Sequence, residues 1–185
     1  MTSLRPSLLT DPIWQEIVSG WLVADGFFDF YINEEAGPDA LPVDQDDARV
    51  IRSVYQYLDS VTGLRFRETL NKQEADVVFM QTRRSAFGRR TLGETSLIYN
   101  GSREQAKVTY ANASFDEITL AHEIGHTVGL DHPGGNGYNR RFNRDDTIMS
   151  YMPGSQTLIN FREADIKALE MLWGKAGSNY DAWMG

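Results

Sequence analysis

All three histidines of this 185-residue chain lie between positions 122 and 132, in the run HEIGHTVGLDHP. A lone histidine is more often packed or solvated than a metal ligand, but this spacing is organised. Residues four apart on an α-helix sit one turn apart on one face, so His122 and His126 can offer ring nitrogens to a single ion. His132 cannot join them from the same helix. The chain must stop and fold back, and Gly129 is the residue that permits it, because glycine enters the left-handed region without a Cβ clash. Pro133 then prevents the helix from resuming. Three imidazoles leave one position open on a four-coordinate ion, which is the pattern of a catalytic rather than a structural site, and zinc suits nitrogen ligands in that number. Glu123 emerges about 100° round the helix from His122, where it can act as general base toward the water that such an ion activates.

The elements that must position these groups follow from pattern. A capping box at Ser114 and Glu117, with Ile118, Ala121, Gly125 and Val128 behind it, predicts a helix from about Phe115 to Gly129. Upstream, Asp11-Pro12 starts a short helix that packs through Ile13, Trp14, Ile17 and Trp21. FFDFYINE predicts a half-buried strand with Phe28, Phe30 and Ile32 on one side. Asp44 and Asp47 cap a long amphipathic helix to Val61, carrying Val50, Ile51, Val54 and Leu58 on one face. LRFRETL and ADVVFMQT read as strands, the second central. TSLIYN and AKVTYAN read as two more, with Gly88 and Gly93 in the polar connection before them. GGNGYNRRFNRDDT is irregular by composition. A last helix runs to Gly174, with Asn160 and Glu163 as cap pair and Ile166, Leu169, Leu172 and Trp173 as buried stripe. The fold class is α+β, with a mixed sheet in the N-terminal two thirds.

Composition narrows the function. The formal net charge of -8 provides no global field for nucleic acid or anionic lipid, and 41% apolar residues suit one globular domain over 1–185. The basic knot Arg83 to Arg90 reads as a solvated loop. No run of about 18 apolar residues marks a membrane span, and the N-terminus has no visible signal peptide. Without cysteine, thiolate ligands and thiol nucleophiles are excluded.

HEIGHTVGLDHP is similar to the zinc-binding consensus of the metzincin metalloendopeptidases, and TIMSYM, Thr147 to Met152, to their methionine turn. His132-Pro133, Met149 to Tyr151 and the closing ADIKALEMLWG together resemble the serralysin family. The resemblance covers about residues 114–174, and upstream it is one of pattern only. It implies a metzincin-like zincin: a twisted mixed sheet, two long helices, an active-site cleft, and a mainly irregular C-terminal subdomain ending in a helix. The lobes would span about 1–129 and 130–185. It further implies His122, His126 and His132 as zinc ligands and Glu123 as general base. Met149 would be the apolar floor beneath the metal, and Tyr151 a ligand of the resting zinc that then stabilises the oxyanion. Without the family, Met149 reads as core and Tyr151 as an ordinary satisfied aromatic.

The implied activity is zinc-dependent endopeptidase, acting on protein or peptide substrates as an extracellular monomer with no nucleic-acid or membrane partner. A substrate strand would align on Glu94 to Asn100 if that segment is a sheet edge. Serralysins usually continue into calcium-binding glycine-rich repeats, but no such repeat occurs in this sequence, so calcium stays open. Two other classes stay open as well. One is a zinc amidase acting on cell-wall peptides. The other is a non-catalytic zinc-binding toxin or binding module, whose sign would be loss of Glu123 or a histidine.

Overall fold

The computed structural model describes residues 4–38, 40–88, 91–100, 103–111, 117–155 and 160–177. Helix α1, Pro12–Leu22, starts at Asp11, whose carboxylate accepts the amides of Ile13 and Trp14 while Pro12 supplies a preset φ. Strand β1, Phe28–Ile32, leads to helix α2, Gln45–Val61, where Asp44 accepts the amides of Asp46 and Asp47. Strands β2, Phe66–Glu68, and β3, Val77–Thr82, precede the hairpin of β4, Gly93–Asn100, and β5, Arg103–Ala111. Helix α3, Glu117–Thr127, carries the histidine run, and helix α4, Glu163–Trp173, closes the described chain. Two single turns of 3₁₀-helix lie at Pro6–Leu8 and Arg84–Ala86.

The five strands form one mixed sheet in the order β2-β1-β3-β5-β4. Strand β1 is parallel to both β2 and β3, β3 is parallel to β5, and β4 pairs antiparallel to β5 with Gly93 opposite Tyr110. The apolar run Val77, Val78 and Phe79 is fully buried, as a central parallel strand covered on both faces requires. Among the described strands β4 is an edge, in keeping with the edge expectation for Glu94 to Asn100.

Tyr55 of α2 organises the core. Its ring stacks on Phe30 at 4.4 Å and meets Phe28, Phe66 and Phe79, while its hydroxyl reaches Thr127 at the end of α3, 3.3 Å away. The buried rings of Phe28, Phe30 and Phe79 are each worth roughly 1.5–3 kcal/mol in area removed from water, and the partly covered Phe66 less. The hydroxyl pair ties this core to the helix that carries the histidines. At the head of β3, buried Asp76 accepts the amide of Asp29 at 2.8 Å and the Arg103 guanidinium at 2.6 Å. Burial outweighs both donors and pushes its carboxyl up to about 6.

The structure differs from the sequence pattern at several points. Strand β1 does not simply alternate, because Asp29 is buried as well, its carboxylate accepting the Arg67 guanidinium at 2.7 and 2.6 Å. Ile13 points outward, 66% exposed, because Val18, Trp21 and Leu22 form the packed face of α1. Gly93 belongs to β4, not to the loop before it. The cap of α4 is Arg162, whose amide donates to Asp165, and not Asn160. In α4 the fully buried positions are Asp165, Ala168, Leu169 and Trp173, with Ile166 and Leu172 only partly covered. Ser114, Phe115, Arg89 and Arg90 lie outside the described residues. No helix among the described residues is long and apolar enough to cross a membrane.

Candidate metal centre

Helix α3 ends as the glycine spacing requires. Gly129 has φ 93°, its amide donates to the carbonyl of His126 at 3.1 Å, and the amide of Leu130 donates back to Gly125 at 2.9 Å. This pair of bonds is a Schellman closure, which absorbs carbonyls the helix would otherwise leave bare. Trp173 of α4 donates its indole N–H to the carbonyl of Val128, and the amides of Asp11 and Asp131 bond to Gly129 and Leu9. The reversal is thus held from both ends of the chain, and it returns His132 to the helix.

The three imidazoles converge. One ligand atom from each of His122, His126 and His132 falls within 4.8 Å of the others. The Nε2 atoms of His122 and His132 are 3.2 Å apart. Two nitrogens each about 2.0–2.1 Å from a tetrahedral ion stand about 3.3 Å apart, so this edge already has the length such an ion needs. His122 Nδ1 donates to the carbonyl of Ile148 and His126 Nδ1 to that of Leu130, both at 2.9 Å. A carbonyl only accepts, so these bonds fix the tautomer and leave both Nε2 lone pairs for a metal. At His132 the Asp131 carboxylate stands 3.5 Å from Nδ1 and favours the proton there. Burial, with the neighbouring rings adding to it, pushes His122 down to about 3 and His126 to about 4, and burial lowers His132 too. All three are therefore neutral at neutral pH, the form that binds a metal.

Glu123 sits beside them with 6% of its surface exposed. Burial raises its carboxyl to about 7, Glu94 adds to the rise, and the Thr95 hydroxyl opposes it by donating to Oε2 at 2.7 Å. A cation held by the imidazoles would lower it again. The same Thr95 oxygen lies 3.1 Å from the Glu123 carbonyl, so β4 fixes the carboxylate and its backbone together.

Met149 is fully buried against the histidine helix, and a Cβ on Gly125 would stand 2.7 Å from its sulfur. The glycine inside HEIGH is thus what lets the thioether approach the helix. The turn that carries Met149 hangs on Asp165 of α4, which accepts the Thr147 hydroxyl, the Ile148 amide at 3.0 Å and the Arg162 amide at 2.7 Å. The same Ile148 gives its carbonyl to His122. Tyr151 is 41% exposed, with its ring centroid 4.7 Å from that of His132 and 5.2 Å from that of His122. Its amide donates to Gly137 at 2.8 Å, and a Cβ on Gly137 would meet the tyrosine ring at 2.5 Å.

His122, Glu123 and Tyr151 open onto a pocket of about 270 Å³ whose other walls include Gly93, Ile118, Tyr138 and Arg144. All the site residues expected from the sequence, His122, Glu123, His126, Gly129, His132, Met149 and Tyr151, are thus brought into one region.

The chain is a distant homologue of a serralysin. It is 31% identical over 140 residues to Serralysin A of Dickeya chrysanthemi, an alignment covering 62% of this chain. The chain spans about 30% of that protein's length. No family model matches the chain.

Sequence reasoning missed Thr95, Asp165, Gly137 and the carbonyls of Ile148 and Leu130. A backbone carbonyl has no residue signature, and Thr95 and Asp165 lie in a strand and a helix whose patterns explain them without a site. Only the glycine in the polar run after Pro133 offered a hint.

Proposed function

We propose that the chain is a zinc-dependent endopeptidase with a metzincin-like site, in which His122, His126 and His132 hold the ion and Glu123 is the general base. The observation that carries this reading is the His122 and His132 Nε2 pair at a tetrahedral edge length, with the Nδ1 protons of His122 and His126 committed to carbonyls and that of His132 facing the Asp131 carboxylate, beside the buried Glu123. The zinc ion, when bound, supplies Lewis-acid polarisation of the scissile carbonyl and lowers the pKa of a water. Glu123 takes the proton from that water and passes it to the departing amine, with Thr95 holding Oε2 in place throughout. Met149, packed against Gly125 of the histidine helix, would supply the apolar floor of the site. Tyr151, whose ring packs against those of His122 and His132, is the residue we assign to contact the ion at rest or the developing oxyanion. The outer edge of β4 binds an extended peptide by backbone hydrogen bonds. The likeness to a serralysin supports peptides as substrates. The proposal extends to one catalytic unit of two lobes, meeting near Gly129, that works as a monomer outside the cell.

The test is cleavage of an unfolded protein by the zinc-loaded chain, abolished by a chelator, restored by zinc, and mapped by its products. Glu123→Ala should keep one zinc and lose turnover. Retained turnover at full metal content would overturn the role of Glu123, and products cut only at cell-wall amides would move the substrate class.

A further inference from the structure

We propose that Arg144 makes the pocket beside Glu123 a subsite for an acidic side chain, so that cleavage is preferred next to glutamate or aspartate. The inference rests on the peptidase reading above and names its substrate class.

Three observations converge on Arg144. First, it lines the same pocket as His122 and Glu123, so a side chain that reaches it belongs to a residue flanking the scissile bond. Second, its Nε is buried with no hydrogen-bond partner, and no ion pair engages its guanidinium among the described residues. The adjacent carboxylates are committed elsewhere. Asp145 accepts the amide and hydroxyl of Ser155, and Asp146 the amide of Asn143. Leaving a buried guanidinium donor unsatisfied is costly, and in a chain of 26 acidic against 18 basic residues internal carboxylates are abundant. A donor kept free at such a site points to an acceptor brought by the ligand. Third, the backbone that carries the side chain is fixed. Its amide donates to Met152 at 3.0 Å, and its carbonyl accepts Arg162 Nε at 2.7 Å.

The rest of the pocket suits the guest. Ile118 and the edge-on pair Tyr138 and Tyr151, with ring centroids 5.0 Å apart, offer apolar surface to the methylenes of a glutamate. The planar guanidinium can hold a carboxylate with two parallel bonds, which a neutral amide isostere cannot match in charge. Arg140 and Arg141 are exposed and do not line the pocket, so one of the three arginines in this loop is selected.

The test uses the zinc-loaded full chain and matched peptides carrying Glu, Gln, Asp, Asn or Leu at each position flanking the scissile bond. The kcat/KM ratio of Glu over Gln should be about ten- to a hundredfold at one of those positions. It should fall toward one in Arg144→Gln, recover in part in Arg144→Lys, and persist in Arg141→Gln. A ratio cancels any general loss of active protein. A wild-type ratio near one at both positions overturns the proposal without any variant, as does a preference that survives Arg144→Gln. If no peptide is cut at full zinc occupancy, the peptidase reading fails separately. Calorimetric affinities of the Glu and Gln peptides for the zinc-loaded chain then decide the subsite, and equal affinities reject it.

Discussion

Replacing Thr95 with valine removes one hydroxyl and keeps the shape of the side chain, so it isolates a single interaction at Glu123. In the structure that hydroxyl donates to Glu123 Oε2 at 2.7 Å, with the Glu123 carbonyl a second acceptor at 3.1 Å. A hydrogen bond to a charged group contributes about 1.5–3 kcal/mol, and one pKa unit corresponds to about 1.36 kcal/mol. Loss of the donor therefore raises the Glu123 pKa by about one to two units, and by nearer one because the proton is shared. The sign is fixed, since the hydroxyl favours the ionised carboxylate against the burial that raises it. The pH profile of kcat/KM on a quenched fluorescent peptide should keep its plateau and shift its acid limb upward by about one unit, so activity at a pH below the limb falls about tenfold. Valine suits an edge strand, so stability should change little. An acid limb that stays in place, or moves to lower pH, would refute the claim that Thr95 tunes the base.

Gly125→Ala places a methyl 2.7 Å from the Met149 sulfur, and should cost about 1–3 kcal/mol by overpacking. Thermal melts should show part of that loss recovered by adding Met149→Val, and simple additivity of the two changes would contradict the contact. Asp165→Asn sets an amide where the buried carboxylate accepts three donors, so denaturant unfolding should show a loss of about 2–4 kcal/mol. A change under about 0.5 kcal/mol would remove Asp165 as the anchor of the methionine turn. Between pH 4 and 6 the folded chain keeps a proton on Asp76 that the unfolded chain has released, because burial raises its pKa to about 6. Its contribution is therefore intact below about pH 4 and is lost as pH rises through 6, at up to about 1.4 kcal/mol per unit. Asp76→Asn should remove that slope from stability measured against pH, and an unaltered slope would contradict it.

What was legible in the sequence was whatever local geometry determines. The four-residue step from His122 to His126, the glycine that reverses the chain and the proline after His132 follow from helix periodicity and backbone sterics, and the structure reproduces them with Gly129 at φ 93°. Val77 to Phe79 declared a central strand by its continuous apolar run. Less legible was whatever depends on which surfaces meet. Ile13 fits the helical spacing of α1, but Val18, Trp21 and Leu22 take the packed face. Phe28 and Phe30 alternate as in a half-exposed strand, yet Asp29 between them is buried as well, paired with Arg67 from the neighbouring strand. Asn160 is a better N-cap by type than Arg162, but Asp165 reaches the Arg162 amide and so sets the start of α4. The carbonyls that orient His122 and His126 belong to Ile148 and Leu130, whose side chains have no part in the bond.

On the proposed function, three imidazoles of this chain hold one catalytic ion through Nε2. Zinc-edge absorption spectroscopy with anomalous diffraction on the zinc-loaded chain tests it most directly. One ion per chain is expected, about 2.0–2.1 Å from Nε2 of His122, His126 and His132. An ion bound elsewhere, ligation through Nδ1, or a chain that takes up no stoichiometric zinc would contradict it.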